Sequence, residues 1–154
     1  MQVITDEKLY NDLWDRIYRE YSFSPQNEKW LCPDIAYDVY RLGPVWDEKQ
    51  AEIIDQIFCR LVSGHMYALD WHHDCFIFDP HENIPFGYQY YDDSRDCTVY
   101  FPTYYPDGDF YFFIAADWSF GMFGHPWRNE LIVTGIPLRR EIEKAAKELD
   151  LEKQ

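Results

Sequence analysis

The chain predicts an α+β fold: a twisted antiparallel sheet of about five to six strands, with helices packed mainly on one face. Three observations carry this. Helical periodicity occurs near residues 6–20, 46–62 and 137–149, and the stretch between the last two of these alternates like strands. The connections within that stretch are short, which favours antiparallel pairing. Tyr105-Pro106-Asp107-Gly108-Asp109 is a hairpin-type turn with a mechanism: Pro106 presets φ, and Asp-Gly supplies the positive-φ position. No internal repeat and no linker divides the sequence, so one domain is expected over residues 1–154.

The first helix is expected over residues 6–20, with Thr5 as N-cap and Asp6 and Glu7 at the positive end of the dipole. Leu9, Leu13, Ile17 and Tyr21 form its apolar stripe, with Trp14 and Tyr18 beside it. Residues 22–33 read as loop. A half-exposed strand follows over 35–42 and stops at Gly43-Pro44. The second helix spans 46–62, with Ile53, Ile54, Ile57, Phe58, Leu61 and Val62 inward and Gly64 at a cap position. Residues 66–79 read as one strand, or as two with a kink near His72-His73. Residues 80–95 are expected as loop, 96–101 and 109–116 as strands, 117–128 as a long loop, and 130–136 as a strand. Pro137 opens the last helix, with Leu138, Ile142 and Leu149 facing inward, and the tail is expected to fray.

Hydrophobic residues make up 47% of the chain and aromatics 19%, which excludes disorder. No apolar run is long enough for a membrane span. MQVITDEKLY shows no basic region followed by an apolar stretch, so no secretory leader is expected and cytoplasm is the expected location. Cys32, Cys59, Cys75 and Cys97 form no C-x-x-C pair and read as reduced thiols.

The formal net charge is −14, and its placement matters more than its size. Residues 70–117 hold ten acidic residues and Arg95 as their one base. Such a segment repels a phosphate backbone, so nucleic acid is not an expected partner. It favours a basic protein electrostatically, although ordinary solubility also explains an acidic chain.

Four constellations carry chemistry. In an unbroken strand Asp70, His72 and Asp74 would share a face, and with His125, Asp117 or His65 they could ligate a divalent ion or pair a base with its orienting acid. The alternative is carboxylates bonded to backbone donors and imidazoles at a sheet edge. Gly124-His125-Pro126-Trp127 presents His125 in a cleft or Trp127 in an interface, or else plugs the core with Trp127. Asp107 and Asp109 flank a turn glycine and lack the further acids of an EF-hand loop. Residues 86–127 contain sixteen Phe, Tyr and Trp, more than one face can bury, so Tyr88, Tyr90, Tyr91, Tyr104 and Tyr105 are the expected exposed ones. No phosphate-binding glycine loop, G-x-S-x-G elbow, H-E-x-x-H or deaminase pattern occurs, and no cofactor is expected.

Tyr105-Pro106-Asp107-Gly108-Asp109-Phe110, Phe123-Gly124-His125-Pro126-Trp127 and Leu131-Ile132-Val133-Thr134-Gly135 together resemble a bacterial family catalogued as domain of unknown function 2716. Tyr67-Ala68-Leu69-Asp70-Trp71, then His73, then Phe78-Asp79-Pro80, are similar too. The resemblance spans roughly residues 35–140 and implies no catalytic residues. Small acidic proteins of this kind look like immunity proteins of bacterial toxin systems, an analogy of size and composition.

The leading expectation is therefore a binding protein of the immunity or antitoxin type that occludes a basic toxin. Asp92, Asp93, Asp96, Asp107 and Asp109 would steer the partner. Tyr90, Tyr91, Tyr105 and Trp127 would anchor it. Charge reversal at Asp92 and Asp93 should slow association and weaken its salt dependence. The alternatives are a small metal-dependent hydrolase using Asp70, His72, Asp74 and His125, and a small-molecule sensor with a pocket under Gly121–Trp127.

Overall fold

The computed structural model describes residues 1–26 and 35–154. Cys32 and most of the loop expected over 22–33 lie outside the described residues. Helix α1 runs Glu7–Glu20, α2 Glu48–Leu61 and α3 Ile136–Ala145. Asp6, not Thr5, caps α1: its carboxylate accepts from the Leu9 N–H at 2.7 Å. Asp47 and Gln50 form a capping box on α2, and the chain leaves that helix extended at Val62, so Gly64 is not its cap. Pro137 sits in the first turn of α3, where a missing N–H leaves no bond unmade.

The strands are β1 (Gln2–Val3), β2 (Tyr37–Leu42), β3 (Met66–Asp70), β4 (Cys75–Phe78), β5 (Gln89–Asp92), β6 (Cys97–Tyr100), β7 (Tyr111–Ala115), β8 (Gly121–His125), β9 (Glu130–Thr134) and β10 (Leu151–Lys153). Eight make one antiparallel sheet in the order β1-β4-β3-β7-β8-β9-β2-β10. Strands β5 and β6 pair only with each other. The main sheet is thus wider than five to six strands. The tail does not fray: Leu151–Lys153 pairs with Tyr40–Leu42 as an edge strand. The expected long loop over 117–128 contains β8, fully buried between β7 and β9. Its two glycines hid it from a propensity reading.

Period-two alternation sorts the core into two layers. Met66, Ala68, Phe76, Phe113, Met122, Leu131 and Val133 meet α2 and α3 on one face. Leu69, Cys75, Phe112, Ile114, Phe123 and Ile132 meet Leu13, Trp14 and Ile17 of α1 on the other. Two of the three helices therefore share a face. The β5–β6 hairpin lies over that same layer: Val99 is buried in it, and the Phe101 ring just beyond packs on Phe76 and Phe78.

Gly124 is needed for approach rather than for backbone angle. A Cβ there would stand 2.6 Å from Cβ of Pro106, so the Tyr-Pro-Asp-Gly and Gly-His-Pro-Trp blocks touch at this point. Asp107-Gly108-Asp109 is a bend and not a hairpin turn, because β6 and β7 are not paired. It carries the chain from the small hairpin into the main sheet, with Gly108 at φ +142°. Among the described residues, no helix is long and apolar enough to cross a membrane.

Candidate functional site

The candidate site lies where β3 ends and β7 begins. Asp70, the last residue of β3, stands opposite Tyr111, the first of β7. The chain then reverses through Trp71–Asp74 into β4, so His72 and His73 lie in a turn and not on a strand face. Asp70 organises that turn. Its Oδ1 accepts the backbone N–H of His72 at 3.0 Å and of His73 at 3.2 Å. Its Oδ2 lies 3.0 Å from His73 Nδ1. Asp109 faces the same group: its Oδ2 is 2.6 Å from His72 Nδ1 and 3.7 Å from His73 Nδ1.

Both carboxylates are buried, Asp70 at 4% and Asp109 at 5% exposure, while both imidazoles open to solvent. Burial pushes the Asp70 carboxyl up to about 6, against the lowering effect of the His72 N–H and the His73 ring. Among the described residues, Asp70, His73 and Asp109 form the one group whose potential ligand atoms lie within 4.8 Å of one another. Ligand bonds of about 2.1 Å place neighbouring donors roughly 3 to 3.5 Å apart; the 3.0 Å pair falls in that range and the 3.7 Å pair lies just outside it. A cavity of about 290 Å³ opens beside them, lined by Asp70, His73, Tyr88, Tyr100, Asp107 and Tyr111 among others.

The sequence-derived metal set is corrected. Asp70 and His72 belong to this neighbourhood, but Asp74 and His125 do not. Asp74 is held by the Arg95 guanidinium at 2.7 and 3.1 Å. Register aligns Gly124, not His125, with Tyr111, so His125 falls on the α1 face against the Phe110 ring, where burial lowers its pKa. Asp117 accepts from Ser119 N–H, and His65 meets the Tyr67 ring edge to face. Strand parity puts His73 on the face opposite Asp70, so the sequence does not mark it as a candidate ligand. The readable signal was an Asp followed by a short polar run, which marks a side-chain-bonded turn.

The expected surface residues divide similarly. Tyr91 is 55% exposed, its hydroxyl donating to Asp96. Tyr90 is half-buried against the core, and Asp93, Asp96 and Asp107 are exposed. Asp92 accepts from Ser94 and Arg95, which hold its carboxyl down to about 2. Tyr104 and Tyr105 are buried rather than exposed: Tyr104 donates to Asp55, and Tyr105 donates to the Gly43 carbonyl at 3.1 Å. Asp109 is buried as well and turns its charge inward. Trp127 is not a plug, being 68% exposed, although its ring meets Phe110 at 5.2 Å. Cys59, Cys75 and Cys97 are free thiols.

A curated relative, the uncharacterized protein YxiI of Bacillus subtilis (strain 168), is 38% identical over 78 residues, covering 51% of this chain and 43% of that protein. The match thus spans less than half the length of the relative. No solved structure gives a significant match. The model of the family described as protein of unknown function (DUF2716) matches residues 4–138, which contain both sequence blocks and the Asp70–His73–Asp109 cluster, and the chain belongs to that family.

Proposed function

We propose that the chain is an acidic, cytoplasmic binding protein of the immunity or antitoxin type, which neutralises a basic protein toxin by occluding it. The observation that carries the reading is the state of Arg95. It is the one base among residues 70–117, and its guanidinium is spent on Asp74 and Asp92. Asp93, Asp96 and Asp107 are therefore left without a cationic neighbour from that segment, near the exposed rings of Tyr91 and Tyr100. Carboxylate beside tyrosine suits lysine and arginine recognition by ion pair and cation–π contact.

The test is affinity capture from the native bacterium at low and high salt, followed by co-expression with the captured protein. The expected result is a stoichiometric basic protein that releases as salt rises and whose toxicity is relieved by this chain. A captured partner that is acidic, or whose toxicity is unchanged by co-expression, overturns the reading.

A second reading is a small metal-dependent hydrolase, supported by the spacing of Asp70, His73 and Asp109. It predicts that Mn²⁺ or Zn²⁺ raises the melting temperature of the protein but not that of His73→Ala. Equal shifts in both proteins rule it out.

A further inference from the structure

We infer that the cavity beside Asp70 receives the guanidinium group of one arginine side chain of the basic partner. This rests on the binding reading above and names the contact that reading leaves open.

The cavity is built of two kinds of surface. Its aromatic lining comes from Tyr88 and Tyr100 at the ends of the small hairpin, Phe101 just beyond it, and Tyr111 at the start of β7. Its acids are Asp70 and Asp107, and among the described residues no lysine or arginine lines it. Aromatic faces with carboxylates suit a flat cation, which stacks on a ring while its edge hydrogen-bonds to oxygen. At about 290 Å³ the space is at the small end for ligand sites and fits one side chain better than a cofactor.

Both carboxylates retain acceptor capacity. Asp107 receives the Tyr111 hydroxyl on Oδ1 at 2.8 Å, and among the described residues no hydrogen bond to its Oδ2 is seen. Asp70 uses Oδ1 for two backbone donors and Oδ2 for His73. A carboxylate offers about four acceptor sites, so one remains, and the His73 ring is exposed enough to swing aside. The contrast with Asp74 and Asp92 supports the assignment. Those acids are neutralised by this chain's own Arg95, whereas among the described residues the basic side chains that reach Asp70 and Asp109 are imidazoles. Arginine is favoured over lysine because a planar fork can bond two separate carboxylates while lying flat on tyrosine.

The test needs no partner. Nα-acetyl-arginine amide, the corresponding lysine amide and the uncharged citrulline amide are titrated into the purified protein at low salt and pH 7.5, with binding read by NMR chemical shifts. The expected result is arginine affinity near 1 mM, the scale of a single side chain, with citrulline at least tenfold weaker. Resonances of residues 100–111 should move. Asp70→Asn and Asp107→Asn, each checked for folding by circular dichroism, should each weaken arginine binding about fivefold or more. Equal binding of arginine and citrulline, tighter binding of lysine, or undiminished arginine binding in the double variant would overturn the inference. So would Mn²⁺ competing arginine out through His73, because the cavity would then belong to a metal. Failure here leaves the salt-sensitive capture experiment standing, and failure of that experiment with arginine binding intact indicts the immunity reading instead.

Discussion

Protonation of Asp70 favours the folded state. Its folded pKa, about 6, lies above the ordinary carboxylate value of 3.8, so the folded state binds the proton more tightly than the unfolded chain. The resulting stabilisation is fully present below pH 3.8 and is lost as pH rises through 6. Asp70→Asn keeps the acceptor for the His72 and His73 amides and removes the buried charge. Thermal denaturation across pH 4–8 should show the variant gaining on the parent as pH rises, by on the order of 2 kcal/mol at pH 8. A constant difference across that range would mean that Asp70 does not titrate there. Gly124 gives a second residue-scale expectation. Gly124→Ala drives a methyl into the Pro106 ring, which cannot rotate away, and should cost about 1–3 kcal/mol in urea denaturation. Pro106→Ala in the same chain should restore part of that loss.

At the scale of elements, the far edge of the sheet is held by a small ionic cluster. Asp38 on β2 accepts a bidentate pair of hydrogen bonds from Arg139 of α3, both at 2.9 Å, and lies 3.3 Å from Lys153 of β10. Three elements distant in sequence therefore meet at one carboxylate, chiefly Arg139 holding its pKa down. Arg139→Ala should lower stability by about 1–3 kcal/mol at pH 7. An acid with a depressed folded pKa contributes above its unfolded value and loses that contribution as pH falls. The deficit of Arg139→Ala should accordingly narrow below pH 4, which melting curves at pH 3 and 7 would show. The small hairpin behaves differently. Asp92 accepts the Ser94 and Arg95 amides and so builds its own turn, which makes it structural as well as acidic.

For the whole molecule, charge sets how a partner arrives. Because Asp92 shapes the hairpin, reversing it with Asp93 would confound folding with steering. Asp93→Lys alone is the cleaner probe: it should slow association with a basic partner several-fold at low salt and much less at high salt, measured by stopped-flow or surface plasmon resonance. An unchanged rate at low salt would place the contact elsewhere. The sequence by itself determined the helices, the antiparallel class, the acidic middle and the importance of the two glycine-bearing blocks. Those follow from periodicity, short connections and composition, all of which act over a few residues. Tertiary structure alone decided the rest. Edge strands β1 and β10 are too short to carry a local signal and exist through their partners. Strand β8 is tolerated with two glycines because its neighbours fill the space around it. Tyr105 is inside and Trp127 outside because burial depends on what packs across a sheet, not on the residue alone. The site itself depends on a reversal after Asp70, which moved His73 beside the carboxylates of Asp70 and Asp109, while one step of register sent His125 to the opposite face. Strand parity reads faces correctly only as far as the strand continues.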